Sequence, residues 1–196
     1  MKTRCDWVPK EDKVYQDYHD YEWGVPAFSD KKQFEFLILE SAQAGLSWAT
    51  ILKKRLGYKK AFANFSPIKV SKFTDKQVEE LLNNPAIIRN RAKISAAINN
   101  AKAFLKIQKE FGSFSKYIWE FVNNIPIKNS FKNLKDLPAK TELSEKISSD
   151  LKARGFKFLG PTTIYSHMQA VGMVNDHLIN CFRYSEIKKL KFKLKN

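Results

Sequence analysis

The sequence predicts an all-α protein, and three observations predict it. Apolar residues recur at helical spacing between positions 90 and 110, where Ile94, Ala97, Ile98, Ala101 and Leu105 share a face. Thr74-Asp75-Lys76-Gln77 reads as a capping box ahead of Val78, Leu81 and Leu82. No segment alternates apolar and polar residues between hairpin turns, so no sheet is expected.

The remaining elements follow in chain order. Tyr15, Tyr18, His19 and Glu22 stand at i, i+3, i+4 and i+7, so one helix face carries two tyrosines and a histidine. Residues 30 to 44 form a strongly apolar helix that Gly45 ends, and Gly112 closes the 90–110 helix. Residues 123 to 140, with Pro126 and Pro138, read as loop. Leu143, Ile147 and Leu151 recur every fourth residue until Gly155 stops them, and Pro161 after Gly160 opens another helix. From 188 to 195 lysines alternate with Leu and Phe, which reads as a frayed basic tail. The expected division is one domain over 1–184 and a basic tail over 185–196.

Composition excludes several classes. With 43% hydrophobic and 13% aromatic residues among 196, the chain is not globally disordered. A chain of this length buries about 70% of its extended surface on folding, enough for one real core. Two cysteines are too few for a disulfide-stapled scaffold. No apolar run reaches the roughly 18 residues of a membrane span, and the start Met1-Lys2-Thr3-Arg4-Cys5 lacks a signal-peptide core. A soluble, cytoplasmic, monomeric protein is expected. The 35 basic against 20 acidic residues leave a formal charge of +15, which favours a polyanionic partner over an anionic membrane, since no long basic amphipathic helix is evident. Charge alone is also compatible with simple solubility.

The chain holds two Cys and three His. His177 and Cys181 form H-x-x-x-C, a spacing that shares one helix face. Cys5 and His19 stand at the other end. The four suit tetrahedral zinc by ligand type, but their spacing is that of no standard finger, and two buried thiols with two ordinary histidines remain the alternative. His167 is left as a packing residue. Glu40 lies in the apolar run Phe34-Glu35-Phe36-Leu37-Ile38-Leu39-Glu40, with Gln43 three residues on, and Glu35 reads as a surface glutamate. A carboxylate and an amide at a helix end, near Trp7, Tyr15, Tyr18 and Trp48, suit a base-stacking pocket, although aromatics at helical spacing also build cores. Arg154-Gly155-Phe156-Lys157-Phe158-Leu159-Gly160-Pro161-Thr162 is a helix–glycine turn–helix. Its backbone N–H groups, with Arg154 and Lys157, can hold a phosphate, or it is an ordinary helical hairpin.

Together, Tyr18-His19-Asp20-Tyr21-Glu22-Trp23-Gly24-Val25-Pro26, Leu39-Glu40-Ser41-Ala42-Gln43-Ala44-Gly45-Leu46-Ser47-Trp48, the Arg154–Gly160 turn and Val174-Asn175-Asp176-His177 resemble the DNA-3-methyladenine glycosylase I family, of the helix-hairpin-helix glycosylase superfamily. The resemblance runs from Cys5 to Cys181. It implies an all-α helix-hairpin-helix fold of two lobes with double-stranded, alkylated DNA between them. It implies a structural Zn2+ on Cys5, His19, His177 and Cys181, which joins the N- and C-terminal segments. Glu40 is the implied catalytic group, and Trp7, Tyr15, Tyr18 and Trp48 the implied walls around an extruded base. Gln43, Gly45 and Leu46 stand at the gap in the duplex, with Leu46 as wedge. Arg154, Gly155, Lys157, Gly160 and Thr162 are expected on the DNA backbone. The implied reaction is monofunctional hydrolysis of the N-glycosylic bond of 3-methyladenine, with no strand cleavage. A non-catalytic DNA-binding module and a bifunctional glycosylase-lyase are the alternatives. Related glycosylases carry an Asp in a V-D-T-H stretch, where this chain has Asn175, with Asp176 one residue off.

Overall fold

Ser29 opens the helix on which the others pack. Its hydroxyl accepts the Lys32 N–H at 3.2 Å, one of the first-turn donors that a helix leaves unpaired. The helix then runs through Asp30–Gln43. Its apolar residues cover most of the circumference rather than one stripe, and Phe34, Phe36, Leu37, Ile38, Leu39 and Ala42 are all buried. The structure, a computed structural model, describes residues 2–190.

In chain order the helices are α1 (Lys13–Tyr21), α2 (Asp30–Gln43), α3 (Trp48–Ala61), α4 (Pro67–Val70), α5 (Asp75–Leu82), α6 (Arg91–Phe111), α7 (Phe114–Glu120), α8 (Glu142–Ala153), α9 (Pro161–Ala170) and α10 (Phe182–Lys189). Helix α2 packs against α3, α6, α7 and α9, and α8 packs on α9. The capping box forms: the Thr74 N–H donates to Gln77 Oε1 at 2.9 Å and opens α5. Asn90 caps α6 by accepting the Lys93 N–H at 3.0 Å, and Gly112, at φ +82°, ends it.

Two expectations change. A sheet exists, although it is only β1 (Ile127–Lys128) parallel to β2 (Val174–Asn175), with Ile127 opposite Val174. Two residues per strand are too few to leave a period-two signal. The pairing stitches the 123–140 loop, which also holds a 3-10 turn at Leu134–Asp136, to the segment after α9. The boundary expected between 184 and 185 falls inside α10, where Ile187 is buried and Lys188 and Lys189 sit at the helix's negative end. Of the tail expected over 185–196, residues 191–196 lie outside the described residues. Among the described residues, no helix is long and apolar enough to cross a membrane.

Helices α1, α2 and α3 are joined by a charge cluster. The Arg55 guanidinium donates to both Glu22 oxygens at 2.8 and 2.7 Å and to Glu35 at 2.7 Å. Lys32 Nζ reaches Glu22 at 2.6 Å. Glu35, expected on the open surface, is largely covered because Arg55 and Lys32 fold over it. Burial pushes the Glu22 carboxyl up, but Arg55 and Lys32 outweigh it and hold the group at about 2, against an ordinary 4.5. The resulting stabilisation is complete above the unfolded-state value and is lost as pH falls through the folded one. Glu22→Gln is therefore expected to lower the unfolding free energy at pH 7 by about 2 kcal/mol. It should also flatten the loss of stability between pH 5 and pH 2, as read by urea unfolding across that range.

Candidate active site

Where α1, α2, α3 and α9 meet lies a cavity of about 230 Å³. Its walls are aromatic: Trp7, Tyr15, Tyr18, Trp23 and Trp48. Trp7 and Tyr15 have ring centroids 5.6 Å apart, Tyr18 and Trp48 5.4 Å, and Phe36 stacks behind Trp48 at 6.4 Å. Phe36 in turn has the Lys32 ammonium 5.0 Å from its ring, so the charge cluster buttresses the aromatic wall from behind. Leu134 and Leu137 of the 123–140 loop cover one side, and Ser166 and Gln169 of α9 complete the lining.

Glu40 is the one carboxylate among the described lining residues, with Gln43 one turn on. It is 3% exposed. Burial pushes its carboxyl up, and His167 opposes that shift. Glu40 Oε2 lies 3.0 Å from His167 Nδ1, while Oε1 is buried and unpaired. Trp48 Nε1, a donor, is likewise buried and unpaired. Native interiors rarely leave such groups unmatched. One acceptor and one donor in a single aromatic cavity suit a planar heterocycle with polar edges. Burial, then the neighbouring Glu40, pushes the Tyr18 hydroxyl well above its ordinary value, so it remains protonated. His167, expected merely to pack, is instead the partner of Glu40.

Behind Trp7 and Trp23 the two ends of the chain meet. Cys5, His19, His177 and Cys181 are all buried, and their ligand atoms lie within 4.8 Å of one another. Cys5 Sγ is 3.6 Å from His177 Nδ1, and Cys181 Sγ is 3.4 Å from His19 Nε2 and 3.6 Å from His177 Nδ1. The other ring nitrogen of each histidine is spoken for: His19 Nδ1 meets Asp20 at 2.7 Å and His177 Nε2 meets the Trp23 carbonyl at 3.0 Å. Arg4 clamps Asp20 from outside. This outer shell aims the free nitrogens inward, and the cluster can hold a metal ion. The helix expected to carry His177 and Cys181 is a turn. Cys181 N–H donates to the Leu178 carbonyl at 2.8 Å, and Cys181 then caps α10. The turn brings the pair together as a helix would.

Beside the cavity, α2 ends in a turn at Ala44, Gly45 and Leu46. Gly45 takes φ +77°, a conformation that side chains disfavour, and Leu46 is 40% exposed. Lys93 Nζ donates to the Ala42 and Ala44 carbonyls at 2.9 and 2.6 Å and pins the turn. A groove of about 160 Å³ runs from this turn to Thr162, Thr163 and Ser166 on α9. The α8–α9 turn is tied inward: Asn99 and Asn100 of α6 donate to the Gly155 and Lys157 carbonyls at 2.7 and 2.8 Å. Gly155 has φ +90° and Phe158 φ +59°. Lys157, Gly160 and Thr162 are exposed. Arg154, expected on the DNA backbone, is engaged elsewhere. It bonds Asp150 at 2.7 Å and Glu110 at 2.8 Å and lies over the Phe111 and Tyr117 rings, so its charge is matched within the protein.

The family model described as methyladenine glycosylase matches residues 7–184. The chain is 49% identical over 181 residues to the DNA-3-methyladenine glycosylase of Haemophilus influenzae, covering 92% of this chain and 97% of that one. It is 46% identical over 181 residues to DNA-3-methyladenine glycosylase 1 of Escherichia coli, covering 92% and 96%. The chain belongs to the methyladenine glycosylase family. A solved 3-methyladenine DNA glycosylase I superposes with a TM-score of 0.89 at 47% identity over 92% of this chain and 98% of that one. A variant of such an enzyme in complex with 3-methyladenine superposes at 0.88, with 41% identity, 91% and 96% coverage.

Within this methyladenine glycosylase fold, Trp7, Tyr15, Tyr18, Glu40, Gln43 and Trp48 come together as the sequence suggested. Sequence reasoning missed Trp23, although it sits inside the Tyr18–Pro26 segment, and it missed Leu134, Leu137, Ser166 and Gln169. Asn175 and Asp176 do not line the cavity. The Asn175 amide donates to the Tyr184 carbonyl at 3.2 Å. Asp176 accepts from Tyr165 at 2.5 Å and from Gln169 at 2.8 Å, and so lies behind the wall.

Proposed function

We propose that the protein is a monofunctional DNA-3-methyladenine glycosylase. It extrudes the alkylated nucleotide from duplex DNA and hydrolyses its N-glycosylic bond, leaving an abasic site. The observation that carries this reading is the unpaired, buried Glu40 Oε1 inside an aromatic cavity of base size.

The chemistry suits a site with one carboxylate. Methylation at ring nitrogen three makes adenine cationic, so it leaves as a neutral base and the glycosylic bond is already weakened. Tyr15, Tyr18, Trp7 and Trp48 stack on the base, with a cation–π gain that only the charged form receives. Glu40 Oε1 accepts hydrogen bonds from the adenine edge and stabilises the positive charge from its buried position. Leu46, on its pinned turn, fills the gap in the stack, with Gln43 and Gly45 beside it. A damaged, poorly stacked base flips out at lower cost than a normal one. Gly155, Lys157, Gly160 and Thr162, at the helix-hairpin-helix turn, hold the DNA backbone without reading sequence. With Arg154 engaged by Asp150 and Glu110, Lys157 is the cationic contact of that turn. Lys157→Ala is expected to weaken binding to any duplex by a similar factor and to lower the salt slope by about one, as measured by fluorescence anisotropy from 50 to 200 mM salt.

The cluster at the chain ends fits structural Zn2+. Zinc with bonds of about 2.3 Å to sulfur and about 2.0 Å to nitrogen sets tetrahedral S–N edges near 3.5 Å, against 3.4 to 3.6 Å between the sulfur and nitrogen atoms here. Zinc bound there would supply a structural cross-link. Cys5 and His19, and hence Trp7 and α1, would be held through it to the turn before α10. The two lobes of the domain would clasp DNA between them.

The test is incubation with methylated duplex DNA and identification of the released bases. Free 3-methyladenine with an intact abasic strand is expected. Binding without base release would make the protein a non-catalytic module, and a borohydride-trapped adduct would make it a glycosylase-lyase.

A further inference from the structure

A buried chain of hydrogen bonds runs behind Glu40 and fixes where its proton sits. Gln33, fully buried, donates from Nε2 to the Ala27 carbonyl at 2.7 Å. That carbonyl also accepts the Trp119 indole N–H at 3.1 Å. Because a carbonyl cannot donate, the Gln33 amide cannot be turned round, and its Oε1 faces His167 Nε2 at 2.8 Å. His167 Nε2 therefore carries a hydrogen. Its Nδ1 faces Glu40 Oε2 at 3.0 Å. Without a proton between those two atoms, two lone pairs would oppose each other between two buried side chains.

We propose that His167 is a positioning residue that shares one proton with Glu40, held between Nδ1 and Oε2, so that Glu40 Oε1 always accepts and never donates. The pair is either a carboxylic acid donating to a neutral imidazole or a carboxylate accepting from an imidazolium. Both carry no net charge, and both leave Oε1 bare towards the cavity. Entry of a cationic base draws the proton from Oε2 to Nδ1, and departure of the neutral base returns it; no proton is exchanged with solvent. The groups that face Glu40 with a titratable function are His167 from α9 and Tyr18 from α1, and the Tyr18 hydroxyl remains protonated. The inference rests on the glycosylase reading for its ligand, but the proton's location does not.

Nitrogen NMR of the zinc-loaded, histidine-labelled protein tests it. His167 is expected to show a protonated Nε2 and an intermediate Nδ1 shift that stays constant from pH 5.5 to 8.5. Added 3-methyladenine should move Nδ1 towards the protonated value, and Glu40→Gln should abolish that movement. A bare Nε2, or an Nδ1 that titrates freely in the wild type, overturns the proposal. His167→Leu supplies a second readout. Left alone with a burial-raised carboxyl, Glu40 should lose its charge as pH falls, so excision should drop at least 10-fold more at pH 6 than at pH 8.5, relative to wild type. A profile parallel to wild type would leave His167 a packing residue and overturn the proposal. Absence of base release by the wild type would sink the glycosylase reading while the NMR result still decides where the proton lies.

Discussion

Glu40→Gln is expected to reduce release of 3-methyladenine by about 10²–10³-fold while the fold and DNA binding persist. The substitution is close to isosteric. The new amide can donate to His167 Nδ1 where Glu40 Oε2 now stands at 3.0 Å, and its oxygen can still accept at the Oε1 position. No cavity opens, and one of the two new amide N–H groups is matched by His167, so the thermal midpoint should move little. What disappears is the carboxylate that forms facing a cationic base when the shared proton moves to His167. In a cavity walled by five aromatic side chains, a buried carboxylate facing a cationic base acts in a low local dielectric, where removing one such preorganised group costs about 3–4 kcal/mol of barrier. The loss should fall on kcat rather than on the affinity for undamaged duplex, which the contacts proposed for the α8–α9 turn and Leu46 would carry. Single-turnover kinetics on methylated duplex, paired with anisotropy on the same DNA, separates the two. Excision at the wild-type rate in this variant would remove Glu40 from its assigned role.

The sequence showed Glu40 because a carboxylate in an apolar run must be either at the surface or matched, and a helix end with Gln43 beside Gly45 offered something to match it. It could not show His167. That residue lies on α9, and nothing local states which face α9 turns to α2; the contact exists only because the two helices pack. The same limit explains Arg154. Asp150 holds it from one turn before, and Glu110 of α6 and the Phe111 and Tyr117 rings reach it only in three dimensions. Capping chemistry was local and therefore legible: Thr74 with Gln77 and Gly112 stand as read. Helix α3 was not, because its apolar residues make no stripe. The two-residue β1–β2 pairing was invisible for the opposite reason, since its partners are far apart in sequence and each strand is too short to show a period.

Removal of the ligand cluster is expected to have the second large effect, on stability first and on activity as a consequence. Cys181→Ser should cost about 3 kcal/mol or more of unfolding free energy, in the range of lost metal or disulfide cross-links. The reason lies in what the cluster connects. Cys5 and His19 belong to the first strand of chain and α1, whereas His177 and Cys181 belong to the turn between β2 and α10. Backbone contact between these regions is thin, with the Phe182 N–H donating to the Thr3 carbonyl at 2.9 Å. Trp7 sits directly on this clasp, its ring 5.2 Å from His19 and 4.9 Å from Trp23, and both tryptophans line the base cavity. Loosening the clasp therefore releases a wall of the pocket before it touches Glu40. Purified protein should contain about one zinc per chain. A strong chelator should lower the thermal midpoint of the wild type and leave that of Cys181→Ser nearly unchanged, because the variant has already lost the site. Residual excision by the variant at low temperature, where the fold survives, would agree with a clasp that organises the pocket and performs no chemistry. A wild-type protein that carries no metal, and whose midpoint ignores the chelator, would refute the four-ligand site and leave Cys5 and Cys181 as two buried thiols.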